Sequence, residues 1–138
     1  MAEKRVKNIF SNGLPVYMSF SGGKDSLALA QLVYNLIERG EIDASQLTVN
    51  FIDEEAIYPC IERTVKDWRK KFMMVGAKFN WYCLEIRHFN ALNKLTTDES
   101  FICWDRYKRD VWVREKPSFA INYHPLFRPR KDTYQQFL

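Results

Sequence analysis

The chain of 138 residues is short enough for one domain, and its composition is that of a globular protein. Hydrophobic residues make up 46% of the sequence and charged residues 28%, a balance that disfavours intrinsic disorder. The 21 lysines and arginines exceed the 17 aspartates and glutamates, so the formal net charge is +4. No apolar stretch reaches the roughly 18 residues of a membrane-spanning helix, and the N-terminus lacks the apolar segment of a secretory signal. We therefore expect a cytoplasmic protein without a membrane partner.

The cysteines fit a reducing compartment. Cys60, Cys83 and Cys103 form no CxxC pair, and no histidine lies near them at a zinc-site spacing. Their odd number also argues against a disulfide framework. Because free cysteine is readily buried, we expect structural thiols at these positions.

The first half of the chain predicts a strand, a helix and a second strand. The apolar run VYMSF at residues 16–20 is the first predicted strand. Residues 25–39 carry leucine, valine and isoleucine at helical spacing and are followed by Gly40, a typical helix stop. The run LTVNFI at residues 47–52 is rich in β-formers and mostly apolar, as expected of a strand that is covered on both faces.

A second helix and a third strand complete the predicted core. The helix starts near Pro59, places its apolar residues on one stripe and ends at Gly76. Residues 78–84 read as the third strand. Because β-α-β crossovers are right-handed, this order predicts a Rossmann-like three-layer α/β fold with a parallel sheet. We take residues 1–138 as one domain.

Basic residues gather in the last third of the chain, beyond a short helix that we expect at residues 88–95. The basic residues of this segment, which covers about 104–138, are Arg106, Lys108, Arg109, Arg114, Lys116, Arg128, Arg130 and Lys131. Three aromatic residues, Trp104, Tyr107 and Trp112, are interleaved with them. The aromatics could stack on bases while the cations contact phosphates. Alternatively, they pack beneath a solvated basic face.

The sequence SGGKDS joins the first strand to the first helix and predicts a phosphate site. Its residues are Ser21, Gly22, Gly23, Lys24, Asp25 and Ser26. The two glycines allow positive φ and close approach to an anion, and the N-terminus of the following helix favours negative charge. The lysine adds positive charge, the serines add hydroxyl donors, and the aspartate can cap the helix or hold Mg²⁺. Open parallel sheets bind ligands at such strand ends.

Two familiar phosphate loops do not match this turn. A Walker loop has a glycine separated by four residues from its GK pair, and this chain has Met18 at that position. A Rossmann G-x-G-x-x-G pattern is also absent from the turn.

The hexapeptide instead resembles the SGGxDS signature of the PP-loop ATP pyrophosphatases, which belong to the adenine nucleotide alpha-hydrolase-like superfamily. In these proteins the loop grips the phosphates of ATP or a related adenine nucleotide, and cleavage falls between the α and β phosphates. The stretch FSGGKDSLALAQL, followed by an apolar strand that ends in an acidic residue, is similar to the phosphoadenosine phosphosulfate (PAPS) reductase family. The segment FICWDRYKRDVWVREKP resembles a branch of PAPS reductase-like proteins. The resemblance covers roughly residues 14–118.

This resemblance implies a nucleotide and a metal. The cofactors would be ATP or a PAPS-like or APS-like nucleotide with Mg²⁺. The six loop residues would hold the phosphates, with Lys24 and Asp25 in catalytic roles and Asp25 on the metal. Ile52 and Asp53, at the end of the second strand, would lie beside adenine and ribose.

One family feature is missing from the sequence. PAPS reductases proper carry a catalytic cysteine in a C-terminal ECGxH-like motif, which this sequence lacks, and Cys103 is the best substitute by location. The resemblance therefore favours cleavage or adenylyl transfer at the α–β bridge. Two alternatives stay open: a nucleotide-dependent binding module or inhibitor that acts on nucleic acid or a protein, and a true sulfonucleotide reductase.

The predicted core has three strands, fewer than relatives usually have. We expect a truncated, minimal or phage-like version of the fold. A second copy of the chain or a partner protein would then cover the sheet edge.

Overall fold

The computed structural model describes residues 1–89 and 100–126, which form two compact units. The first unit comprises Met1–Phe51 and Tyr58–Asn80, and the second comprises Ile52–Ile57 and the residues from Trp81 onward. The expectation of one domain over residues 1–138 stays a prediction.

The described residues form α-helices, a parallel sheet and an antiparallel pair of strands. The helices are α1 (Ala2–Phe10), α2 (Lys24–Glu38) and α3 (Pro59–Met74), and the strands are β1 (Val16–Ser19), β2 (Leu47–Ile52), β3 (Lys78–Tyr82), β4 (Arg87–Phe89) and β5 (Ser100–Ile102). Strands β1, β2 and β3 form a parallel sheet in that order. In the register of β1 and β2, Val16 lies opposite Leu47 and Ser19 lies opposite Asn50. The predicted α/β class and parallel sheet are confirmed. None of the helices in the described part of the chain has the length and apolar character to cross a membrane.

Helices α2 and α3 pack against each other over one face of the sheet. The ring of Tyr34 in α2 lies 6.0 Å from that of Trp68 and 6.2 Å from that of Phe72, both in α3. Phe20, directly after β1, contacts Trp68 at 6.4 Å between ring centroids. Right-handed crossovers between sequential parallel strands place both helices on the same face. The strand residues that point to it, which include Met18, Leu47, Val49 and Phe51, are buried.

The opposite face of the sheet is polar and partly open. Side chains alternate along a strand, so Tyr17, Ser19 and Asn50 share this face. Tyr17 is 70% exposed, and Asn50 accepts a hydrogen bond from the amide of Asn80 at 3.0 Å. Strand β2 alternates between buried and less buried residues, so the expectation that it is covered on both faces holds for one face only. A third layer stays a prediction.

In the second unit, β4 and β5 form an antiparallel pair in which His88 lies opposite Phe101. The two rings stack with their centroids 5.1 Å apart. The prediction of a helix at residues 88–95 is therefore wrong for residues 88 and 89, because cross-strand pairing holds them extended. Residues 90–95 lie outside the described part of the chain.

Candidate phosphate-binding loop

The turn between β1 and α2 leads into a helix whose N-terminus has no cap from a side chain in the described part of the protein. Gly22 has φ +76°, and Gly23 is the N-cap residue of α2. The N–H of Leu27 donates to the Gly23 carbonyl at 2.9 Å, which begins the helix. First-turn N–H groups have no partner within a helix, and no side chain of the described residues caps those of α2. The positive end of the helix dipole is therefore available to an anion.

Close packing explains the first glycine of the pair. A Cβ atom built on Gly22 would lie 2.8 Å from Val65 Cγ2 and 3.0 Å from Ile61 Cγ2, and both of these side chains belong to α3. The loop backbone thus rests directly on α3, in a conformation that residues other than glycine rarely adopt. Sequence reasoning expected the glycine to face an anion and missed this contact with the helix.

The hydroxyl groups of the two loop serines bond within the loop. Ser26 Oγ donates to the Gly23 carbonyl at 3.0 Å and accepts from the Ser21 N–H at 3.3 Å. The two serine oxygens lie 3.0 Å apart, and Ser21 Oγ accepts from the Gly23 N–H at 3.3 Å. The predicted loop residues therefore do come together, with the two serine hydroxyls bonded to each other and to the loop backbone.

Lys24 and Asp25 lie at the start of α2 with exposed side chains. No ion pair in the described part of the chain engages either of them. Among residues 1–89 and 100–126, no group of three or more His, Cys, Asp or Glu could hold a metal ion. A Mg²⁺ site at Asp25 fits this arrangement, because Mg²⁺ is commonly bound through one or two carboxylates together with phosphates and water.

Asp53, in the second unit, has its carboxylate engaged inside the protein. It is 1% exposed and accepts hydrogen bonds from Trp81 Nε1 at 2.8 Å and from the Glu55 N–H at 2.9 Å. It also forms an ion pair with Arg114. The adjacent Ile52 is 45% exposed. The prediction that these two residues lie beside adenine and ribose stays a prediction, and the Asp53 side chain already has structural partners.

Glu55 extends this bonding to the segment 104–114. Its carboxylate accepts from the N–H of Trp104 at 2.5 Å and from the N–H of Val113 at 3.3 Å. Its carbonyl accepts from Arg114 Nε at 2.9 Å, and the Asp53 carbonyl accepts from Trp104 Nε1 at 2.7 Å. We call Asp53 and Glu55, with these partners, the acidic latch. Sequence reasoning assigned Asp53 to a ligand and missed that Asp53 and Glu55 hold this segment.

The basic residues of the last third are partly used in structural contacts. Arg106 forms an ion pair with Glu85 at 2.6 Å. Burial by itself would raise the pKa of Glu85, but the hydrogen bonds from Arg106 hold that pKa below its usual value. Lys116 Nζ lies 5.0 Å from the Trp112 ring and 5.5 Å from the Trp104 ring, and burial lowers the pKa of this lysine. Trp104 is fully buried. These contacts favour the packing interpretation of the interleaved aromatics, while Arg128, Arg130 and Lys131 lie outside the described residues.

Two of the three thiols are buried in the second unit. Burial raises the pKa of Cys103 to about 11. Burial and the nearby Asp53 carboxylate raise the pKa of Cys83 to about 12. Cys60, near the start of α3, is exposed. A thiolate at Cys103 is therefore strongly disfavoured near neutral pH.

Substitution of Gly22 by alanine should destabilise the protein more than the same substitution at Gly13. Both glycines have positive φ, but a Cβ on Gly13 meets nothing within 4 Å. The left-handed strain of about 1–2 kcal/mol applies to both variants, whereas the contact with α3 adds about 1–3 kcal/mol only to Gly22→Ala. Urea unfolding of the two variants measures the difference. Equal losses would mean that α3 does not restrict the loop.

Thiol labelling of the folded protein should be confined to Cys60. With a pKa of about 11, roughly one Cys103 thiol in a thousand is ionised at about pH 8, and burial also blocks access. Iodoacetamide followed by mass spectrometry should modify Cys60 alone until the protein is unfolded, and Cys60→Ser should remove the labelling. Rapid alkylation of folded Cys103 would restore it as a candidate nucleophile.

Comparisons with known proteins add one relative. The chain is 32% identical over 132 residues to the uncharacterized protein YbdN of Escherichia coli (strain K12). The match covers 92% of this chain and 30% of the relative, so the chain spans less than a third of the length of the curated protein that it matches. No family model matches the chain. No solved structure matches it either.

Proposed function

We propose that this chain binds an adenine nucleotide, ATP or a PAPS-like compound, at the phosphate-binding loop and catalyses cleavage or transfer at the α–β phosphate bridge. The observation that carries the proposal is the uncapped N-terminus of α2 behind the Gly22–Gly23 turn, with Lys24 and Asp25 exposed beside it. The resemblance of the loop sequence SGGKDS to the SGGxDS signature indicates the class of ligand, an adenine nucleotide.

The loop offers several kinds of stabilisation to a bound polyphosphate. The first-turn N–H groups of α2 and its dipole would bind phosphate oxygens, and Lys24 would offset the charge that grows on the leaving pyrophosphate. A Mg²⁺ ion held by Asp25 would supply further charge neutralisation on the phosphates. These groups would neutralise the charge of the phosphates and hold them in position, and these two effects dominate the catalysis of phosphoryl-type transfers.

The reaction itself needs no nucleophile from the protein. With ATP, the acceptor substrate or water attacks the α phosphorus, the bond from that phosphorus to the bridging oxygen breaks, pyrophosphate leaves with the electron pair, and the proton of the nucleophile passes to the solvent. The products are then an adenylylated acceptor, or AMP when water attacks. The buried thiols of Cys83 and Cys103 support this proposal over reductase chemistry, which requires an accessible thiolate.

Replacing both charged loop residues should weaken nucleotide binding. We expect Lys24→Ala combined with Asp25→Ala to raise the Kd for Mg-ATP by at least several-fold, because charge-assisted hydrogen bonds contribute about 1.5–3 kcal/mol each and 1.4 kcal/mol is tenfold. Isothermal titration calorimetry with a nucleotide panel, with and without Mg²⁺, measures this change.

A matched control lies on α3. Asp67 and Lys70 are also exposed, and their double alanine variant removes the same pair of charges away from the loop. This control should bind as the unmodified protein does. Unchanged affinity in the Lys24/Asp25 variant would move the ligand to another site.

Product analysis separates the proposed chemistry from reduction. We expect slow, Mg²⁺-dependent release of pyrophosphate from ATP, and no thiol-dependent release of sulfite from PAPS. Cys103→Ser should leave the pyrophosphate rate unchanged, because that thiol is buried and protonated. Sulfite formation that Cys103→Ser abolishes would refute the proposal. Bound nucleotide with neither product would favour a binding module.

A further inference from the structure

The donors and acceptors of the two loop serines can be counted in full. A serine hydroxyl offers one proton and two lone pairs. Ser26 gives its proton to the Gly23 carbonyl, and its oxygen accepts from the Ser21 N–H. Because that proton is already used, the 3.0 Å contact between the two hydroxyls must be donated by Ser21. Ser26 is then fully occupied.

Ser21 is left with no proton for a ligand. Its hydroxyl donates to Ser26, and its oxygen accepts from the Gly23 N–H at 3.3 Å. A phosphate oxygen only accepts hydrogen bonds, so it needs donors. In this arrangement neither serine hydroxyl has a proton to offer, and the donors that remain in the loop include the first-turn N–H groups of α2 and the Lys24 ammonium.

We propose that the Ser26 hydroxyl, joined to Ser21, is a positioning group that fixes the loop in its anion-receiving shape before any ligand binds, and that it is not a phosphate ligand. Its bonds tie the end of β1 to the start of α2 across five residues of sequence. The contact of Gly22 with α3 supports the same shape from the other side. The role in anion binding rests on the proposed function, whereas the fixed shape of the free loop does not.

Amide hydrogen exchange of the free protein, followed by NMR, tests the proposal without a nucleotide. Ser26→Ala removes the acceptor of the Ser21 N–H, so the exchange of that amide should accelerate roughly three- to tenfold, the range expected for one lost hydrogen bond. Ser21→Ala removes the acceptor of the Gly23 N–H and should accelerate the exchange of that amide. The amide at position 21 keeps Ser26 Oγ as its acceptor, so its exchange should stay slow. Ser26→Thr retains a hydroxyl and should restore slow exchange.

A control and a binding arm complete the experiment. Ser11 Oγ bonds to the Asn8 carbonyl at the end of α1, and Ser11→Ala should leave the loop amides unchanged. With inorganic pyrophosphate and Mg-ATP as probes, Ser26→Ala should weaken binding and Ser26→Thr should recover it.

The outcomes separate this proposal from the proposed function. Unchanged exchange in free Ser26→Ala, together with weaker pyrophosphate or ATP binding, would make the hydroxyl a direct phosphate ligand and overturn the positioning role. Faster exchange in a protein that binds neither probe would support the fixed loop and refute nucleotide binding. If Ser26→Ala does not fold, the exchange rate of the Gly23 amide in Ser21→Ala provides the test. Faster exchange of that amide supports the hydroxyl pair, and unchanged exchange overturns it.

Discussion

The contact between Gly22 and the side chains of Ile61 and Val65 constrains the whole of the candidate site. A single methyl group at this position would collide with α3, so the path of the loop depends on where α3 packs. That packing in turn depends on the aromatic cluster of Tyr34, Trp68 and Phe72 between the two helices. The hydrophobic core of the first unit and the geometry of the candidate phosphate-binding loop are therefore parts of one arrangement.

The two units use their charged residues in different ways. In the first unit, Lys24 and Asp25 stay exposed at a helix start, where they can act on a ligand. In the second unit, Asp53 and Arg114 are paired at a site where the aspartate side chain is fully buried. Removing one partner of such a pair is strongly destabilising, because it leaves an uncompensated charge. The charges at the loop of the first unit are thus left exposed, whereas those of Asp53 and Arg114 are used to hold the second unit together.

Local patterns were sufficient to predict the main elements of the first unit. The apolar spacing of α2 and α3, the β-forming runs and the terminal glycines are local signals, and right-handed crossovers convert them into a parallel sheet. Helix α1 was not predicted, and its contacts with the rest of the chain include exposed ion pairs of Lys7 with Glu41 and of Glu3 with Arg39, which no local pattern reveals. Its mostly polar sequence has Phe10 as its one buried residue.

The roles of the site residues were harder to predict than their positions. The pattern SGGKDS identified the loop, but it could not show that the hydroxyls of Ser21 and Ser26 bond to each other. Likewise, an acidic run after a strand suggests a ligand site, and only the fold reveals that Glu55 bonds to Trp104 and Val113. The partners of Glu55 lie 49 and 58 positions away in sequence, so no periodicity or spacing encodes them.

The acidic latch also bears on the order in which the chain can fold. Its hydrogen bonds join residues separated by 49 to 61 positions, whereas the serine pair of the loop spans 5. Closing a longer loop costs more chain entropy, and contacts of high sequence separation slow folding. The serine pair of the candidate loop can therefore form while the ribosome is still extending the chain, and the final path of that loop is fixed once α3 packs against Gly22. The latch must wait until residue 114 has been made.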